Sequence, residues 1–269
     1  MQVIISSTEN ALKLESLLKN DYRAGLKYSN QRVLDEHVAS RALLQKALIE
    51  FYRISYLPEI ITLQSGKPCF KEARYPFFNL SNSGKYLALA IGGSEVGVDI
   101  EFERKRHNLE GLIKRVCSKK EQSFLLSLDE TNMLHEFTRL WTVKECLVKT
   151  TGKGLVDVDM LYIDPVENNC GYYNLPSSNQ ICSTSLNTPF TDKLAYLSFS
   201  CNKNTEDGYE FFYLDEEKKL KRKADMFTKR TIKQHSSVTK VDTAVEALAV
   251  SIGERACVDL GFMASLMGE

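Results

Sequence analysis

Residues 30–56 set Leu34, Val38, Leu44, Leu48 and Tyr52 at helical spacing. A stripe sustained over that many turns calls for an amphipathic helix laid on a core. Arg41 lies seven residues from both Leu34 and Leu48, about two turns, so it points the same way as the stripe. Such an arginine either snorkels past the core to solvent or stands at an internal seam as a cation for an anion.

The segments around this helix do not alternate regularly. Pro58, Gly66, Pro68 and Pro76 mark residues 57–80 as loop and short extended pieces. "YLALAI" (86–91) and "EVGVDIEF" (95–102), separated by Gly92-Gly93-Ser94, read as a β-hairpin. Residues 110–128 and 130–151 read as two helices, and "LVDVDMLYI", "LAYLSFSC" and "YEFFYL" as strands beyond them. Strands and helices mixed without βαβ repeats predict an α+β fold. From about residue 216 a basic run, "EEKKLKRKADMFTKR", opens a stretch expected to lie outside the main core.

Lys plus Arg and Asp plus Glu both number 35, so the net charge is zero. No global field recruits nucleic acid or a membrane surface, and any electrostatic function must be local. The seven cysteines are scattered without a C-x-x-C pair, which fits reduced thiols in a cytoplasmic protein better than a disulfide framework or a zinc site. No signal peptide or membrane-spanning run is expected.

In "VGVDIE" (96–101), alternation turns Val96, Val98 and Ile100 to a core and Gly97, Asp99 and Glu101 to the other face. Two carboxylates about 7 Å apart at their backbones can converge on one cation, and oxygen ligands suit Mg²⁺ or Mn²⁺. Solvated acids on a half-exposed strand remain the plainer reading of this pair. In "WTVKECLVKTTGKGL" (141–155), Trp141, Glu145 and Lys149 follow one helix face. Gly152 and Gly154 then end the helix. Taken alone, Glu145 and Lys149 are an ordinary i,i+4 pair worth a few tenths of a kcal/mol.

Together, "GVDIE" at 97–101 and "WTVKECLVKTTGKGL" some forty residues later resemble the paired signatures of the 4′-phosphopantetheinyl transferases, in the surfactin-type (Sfp-like) branch. "GKP" (66–68) with "FNLSNSG" (78–84), "CSKKEQSFL" (117–125) and Arg41 in "SRALLQKAL" are similar to further family elements. The resemblance covers roughly residues 20–215. Two positions depart from the pattern: Asn82 stands where the family usually has histidine, and Cys117 where it has phenylalanine.

The resemblance implies transfer of the phosphopantetheine arm of coenzyme A to a serine of an apo acyl or peptidyl carrier protein, releasing adenosine 3′,5′-bisphosphate. It implies Asp99, Glu101 and Glu145 as ligands of Mg²⁺ (or Mn²⁺), Glu145 and Lys149 as catalytic groups, and Arg41, Lys67, Ser81, Asn82, Lys144 and Lys149 as contacts to the cofactor. It further implies two similar α/β halves, 1–105 and 106–215, related by a pseudo-twofold axis with cofactor and metal in the cleft between them. Residues 216–269 form a C-terminal extension with no assigned role. The protein is expected to be a cytoplasmic monomer, with a basic carrier-docking surface at "RKRH" (104–107), Lys114, Arg115, Lys119 and Lys120. Two rival readings share these residues: another Mg²⁺-dependent enzyme of nucleotide anhydrides, and a binding protein that keeps the fold without the activity.

Overall fold

A computed structural model describes residues 1–151, 172–174, 179–186, 195–202, 210–222 and 260–267. The expected stop at Gly152 and Gly154, the strand expected over 155–163 and most of the extension lie outside the described residues. The elements run β1 (Gln2–Ser7), α1 (Thr8–Leu12), α2 (Gln31–Tyr52), β2 (Ile60–Thr62), β3 (Pro68–Phe70), β4 (Phe77–Ser83), β5 (Tyr86–Gly92) and β6 (Gly97–Phe102). There follow α3 (Leu109–Val116), α4 (Lys119–Leu125), α5 (Glu130–Thr151), β7 (Tyr172–Asn174), β8 (Asn179–Leu186), β9 (Ala195–Asn202), β10 (Glu210–Leu214) and β11 (Leu220–Arg222), with a last helix at Leu260–Met267. The architecture is α+β, as expected. No helix among the described residues is long and apolar enough to cross a membrane.

The long helix forms where the stripe puts it. Asn30 caps α2 by accepting from the amides of Arg32 and Val33, and Arg53 ends it in the left-handed region at φ 57°. Its inner face, Val38, Ala39, Ala42, Leu43, Leu44, Ala47 and Leu48, packs on Ile4, Leu87, Leu89 and Ile91. Each large aliphatic chain buried there contributes about 1.5–3 kcal/mol.

Those partners lie in a five-stranded sheet of order β11-β10-β1-β5-β4, in which β1 runs parallel to β10 and antiparallel to β5. Its other face, carrying Val3, Ile5, Ala88, Ala90 and Phe211, packs on Val98, Ile100, Leu197 and Phe199 of a second sheet. That sheet has the order β6-β9-β8-β7 and is antiparallel throughout.

Three expectations need correction. β5 and β6 do not form a hairpin: β5 has β1 on one edge and β4 on the other, so the Gly92-Gly93-Ser94 turn hands the chain to β6 in the other sheet, where it pairs with β9. The hairpin is β4–β5, closed by a two-residue turn in which Gly84 adopts φ 59°. The helix expected over 110–128 is two helices, because Ser118 and Glu121 form a capping box that restarts the chain as α4. Finally, β10 and β11 join the first sheet, so Leu220–Arg222 lie in it although the sequence reading places the stretch from about residue 216 outside the main core; Met1–Thr228 form one compact unit. Residues Lys229–Glu269 form a second unit.

Candidate active site

The sheets meet along β4 and β6 without a backbone ladder between them. Asn79, Ser81 and Ser83 alternate on one face of β4, and their side-chain oxygens accept from the amides of Val98 (3.0 Å), Ile100 (3.4 Å) and Phe102 (3.4 Å). The open edge of β6 is thus closed by side chains. The same serines hold the acids: Ser81 Oγ donates to Asp99 Oδ1 at 2.7 Å and Ser83 Oγ to Glu101 Oε2 at 2.9 Å.

α5 lies on the face of β6 that carries Gly97, Asp99 and Glu101. A Cβ on Gly97 would come 2.2 Å from Thr150 Oγ1 and 2.4 Å from the Cys146 carbonyl oxygen, so only glycine permits this approach. Small hydroxyls complete the seat: Thr142 with Ser198 at 2.9 Å and Thr150 with Ser200 at 2.6 Å. The close approach brings Lys149 Nζ to 2.5 Å from Asp99 Oδ1 and 3.0 Å from Ser81 Oγ.

Burial pushes the Asp99 carboxyl above its usual range, with Lys149 and Ser81 pulling it partly back. Glu145 is raised too, first by burial and then by the charges of Asp99 and Glu101. Asp99 Oδ2 is buried with no hydrogen-bond partner among the described residues. Asp99 thus has Glu101 and Glu145 within electrostatic reach and one orphaned oxygen, the type of donor that a hard divalent cation takes. Among the described residues no three His, Cys, Asp or Glu side chains stand close enough together to hold a metal ion; the Lys149 ammonium stands at Asp99 instead.

The other expected contacts fall in different places. Lys144 is fully buried and paired with Glu121, itself fully buried, at 2.8 Å, and Nζ also donates to the Val116 carbonyl. It is a structural cation under α4, with no surface from which to reach a phosphate. Lys67 Nζ donates to Glu95, Val96 O and Thr150 O, which account for its three N–H groups. It reaches a phosphate only by releasing the exposed Glu95. Asn82 is exposed on the opposite face of β4 from Ser81 and donates to Glu36 of α2 at 3.3 Å.

Arg41 is half-buried in a cleft of about 580 Å³ beside α2, with Tyr22 and His37. Cys117 is buried in the α3–α4–α5 core, where burial pushes its thiol up to about 12, in keeping with a packing role. Sequence reasoning missed Asn79 and Ser83, although the alternating polar residues of "NLSNS" carry the signal, and it missed Glu121 as the partner of Lys144.

Comparison with known proteins accords with this geometry. Residues 95–190 match the family described as the 4′-phosphopantetheinyl transferase superfamily, and residues 240–269 match one described as probable helicase, winged helix domain. The chain is 38% identical over 159 residues to the 4′-phosphopantetheinyl transferase AcpT of Escherichia coli K12, covering 57% of this chain and 76% of that protein. It is 34% identical over 122 residues to the 4′-phosphopantetheinyl transferase Sfp of Bacillus subtilis, covering 45% and 54%. A putative 4′-phosphopantetheinyl transferase of Synechocystis is 34% identical over 155 residues, covering 55% and 60%. With the strand and helix of its signatures pressed together around Asp99, this chain belongs to the 4′-phosphopantetheinyl transferase family.

Proposed function

We propose that the family's reaction, transfer of phosphopantetheine from coenzyme A to a serine of an apo carrier protein, takes place where β4, β6 and α5 meet. The observation that carries this reading is the buried, unpartnered Oδ2 of Asp99 beside Glu145 and Lys149. Asp99, Glu101 and Glu145 are the residues that would hold Mg²⁺ or Mn²⁺. The ion, when bound, supplies charge neutralisation for the pyrophosphate oxygens.

The remaining work falls to the chain's own side chains. A serine hydroxyl is a weak nucleophile and needs a positioned base. Glu145 suits that role because burial and two like charges raise its proton affinity above that of a free carboxylate. As serine oxygen bonds to phosphorus, the pyrophosphate P–O bond breaks and adenosine 3′,5′-bisphosphate leaves with the electron pair. Lys149 stabilises the charge that develops on the phosphate and leaving group. Ser81 holds Asp99 and Lys149 together at the phosphates, Asn82 reaches the nucleotide from the other face of β4, beside α2, and Arg41 binds its 3′-phosphate.

The layering of α2 on the first sheet and α5 on the second supports a two-half architecture with the cofactor between them. Exposed Arg104, Lys105, His107, Lys114 and Arg115, following β6 directly, suit docking of an acidic carrier.

Mass spectrometry of an apo carrier incubated with coenzyme A, Mg²⁺ and the protein tests the reading. Wild type is expected to add one phosphopantetheine arm, and Glu145→Gln to add none while still binding coenzyme A. No adduct on any of a panel of acyl and peptidyl carriers, or an active Glu145→Gln, overturns it.

A further inference from the structure

The cleft beside α2, where Arg41 is assigned to the 3′-phosphate, holds further groups that have been given no role. At about 580 Å³ it has the dimensions of a small-ligand site, and its walls include Lys19, Tyr22, His37, Arg41, Tyr56 and Glu59. No carboxylate among the described residues pairs with Arg41; its electrostatic neighbours are the phenols of Tyr22 and Tyr28. A guanidinium without a counter-ion, beside aromatic rings, is suited to an anionic group carried on a flat ring system.

Behind Arg41 stands a chain of hydrogen bonds. The Tyr22 hydroxyl lies 3.1 Å from His37 Nε2, and the Tyr28 hydroxyl 3.0 Å from His37 Nδ1. The Tyr22 and His37 rings are 13° from parallel with centroids 6.2 Å apart. Burial and the charge of Arg41 hold His37 below the usual imidazole range, so the ring is neutral, with one donor and one acceptor nitrogen.

The Tyr22 hydroxyl stands beside the Arg41 guanidinium in the wall of the same cleft. His37, held between Tyr22 and Tyr28 by both ring nitrogens, fixes where that hydroxyl sits.

We infer that Tyr22 and His37 are positioning residues that aim Arg41 at the 3′-phosphate of the coenzyme A nucleotide, and so set the preference for coenzyme A over its 3′-dephospho form. The inference rests on the assignment of the 3′-phosphate to Arg41 made above. Loss of the Tyr22 hydroxyl removes no charge. It frees the guanidinium to rotate, so the cost falls on binding of the 3′-phosphate and not on phosphoryl transfer.

The experiment measures transfer to a carrier with coenzyme A and with 3′-dephospho-coenzyme A, for wild type, Arg41→Met, Tyr22→Phe, His37→Ala and His37→Gln. Arg41→Met is expected to abolish the preference. Tyr22→Phe and His37→Ala are expected to raise KM for coenzyme A about three- to tenfold, the worth of one hydrogen bond, with kcat and the dephospho KM unchanged. His37→Gln keeps a donor and an acceptor and restores part of the preference.

Calorimetric binding of adenosine 3′,5′-bisphosphate against 5′-AMP gives the same comparison without turnover and reports whether each variant is folded. A Tyr22→Phe variant with both KM values unchanged, or both raised equally, overturns the inference. An Arg41→Met variant with wild-type preference overturns the Arg41 assignment itself, whatever Tyr22→Phe does.

Discussion

Helix α5 carries Lys144 and Lys149 five residues apart, and each meets a carboxylate, yet the two pairs are built in opposite ways. Lys144 and Glu121 are both sealed from solvent, with Nζ also on the Val116 carbonyl and Glu121 Oε2 also on the Ser118 amide. Lys149 is about a quarter exposed, and its partner Asp99 is buried with one oxygen left unpartnered. A buried pair in which the polar atoms are met is a fixture; removing one member strands the other. A pair with an orphaned oxygen is raised in energy and open to a further cation. Completeness of the hydrogen bonding, rather than charge or place in a motif, separates the structural lysine from the one proposed to act in transfer.

The largest test of that contrast is Lys144→Ala, which leaves Glu121 buried without its counter-charge. Stability should fall by about 3–5 kcal/mol, a drop of roughly 10 °C in Tm, and adding Glu121→Leu should restore much of it. A variant that melts like wild type would erase the distinction between the pairs. Lys149→Ala should do the reverse, slowing transfer by about 10²–10³-fold with a smaller fall in Tm, because Asp99, whose carboxyl burial already raises, can take up a proton in place of its lost partner. The readouts are carrier modification rate and a thermal melt on the same sample.

A smaller effect is expected at the contact that brings the open pair together. Gly97→Ala places a Cβ against Thr150 and Cys146 and should cost about 1–3 kcal/mol, with a loss of transfer that exceeds the loss of folded protein. Unchanged activity would mean that α5 does not need its seat on β6. The smallest effect is Glu145→Gln in the presence of a chelator: Tm should rise by about 1 °C as a disfavoured charge is removed.

The sign of that last effect follows from linkage. A carboxyl raised above its unfolded value contributes stability below the unfolded value of 4.5, and that contribution is lost as pH rises through the raised folded value. The two proteins should therefore melt together in acid, and Glu145→Gln should gain over wild type towards neutrality. Parallel melting curves at every pH would show that Glu145 is not under strain.

Local periodicity made α2, the alternation along β6 and the Trp141–Glu145–Lys149 face readable from the sequence, since each depends on residues a turn or a pleat apart. The pairing of β5 and β6 was not readable. Whether a Gly-Gly-Ser turn closes a hairpin depends on who already occupies the edges of β5, and one occupant is β1, at the far end of the chain segment. Lys144 defeated the reading for the same reason, its partner being on another helix. The break at Ser118 was written in the sequence as Ser-x-x-Glu and was masked by apolar spacing that runs across it. Nothing periodic links Tyr22 to His37, so their contact emerges only in three dimensions.

The seam between β4 and β6 has a consequence for how the two sheets find their alignment. A backbone ladder accepts any register that keeps donors opposite acceptors, but here the acceptors are the side chains of Asn79, Ser81 and Ser83. A slip of one residue would present Phe78, Leu80 and Asn82 to the same three amides, leaving at least two of them dry at about 1–3 kcal/mol each. β4 therefore acts as a ruler: three polar graduations fix where β6 must stop, and with it the distance from Asp99 and Glu101 to whatever α5 brings against them.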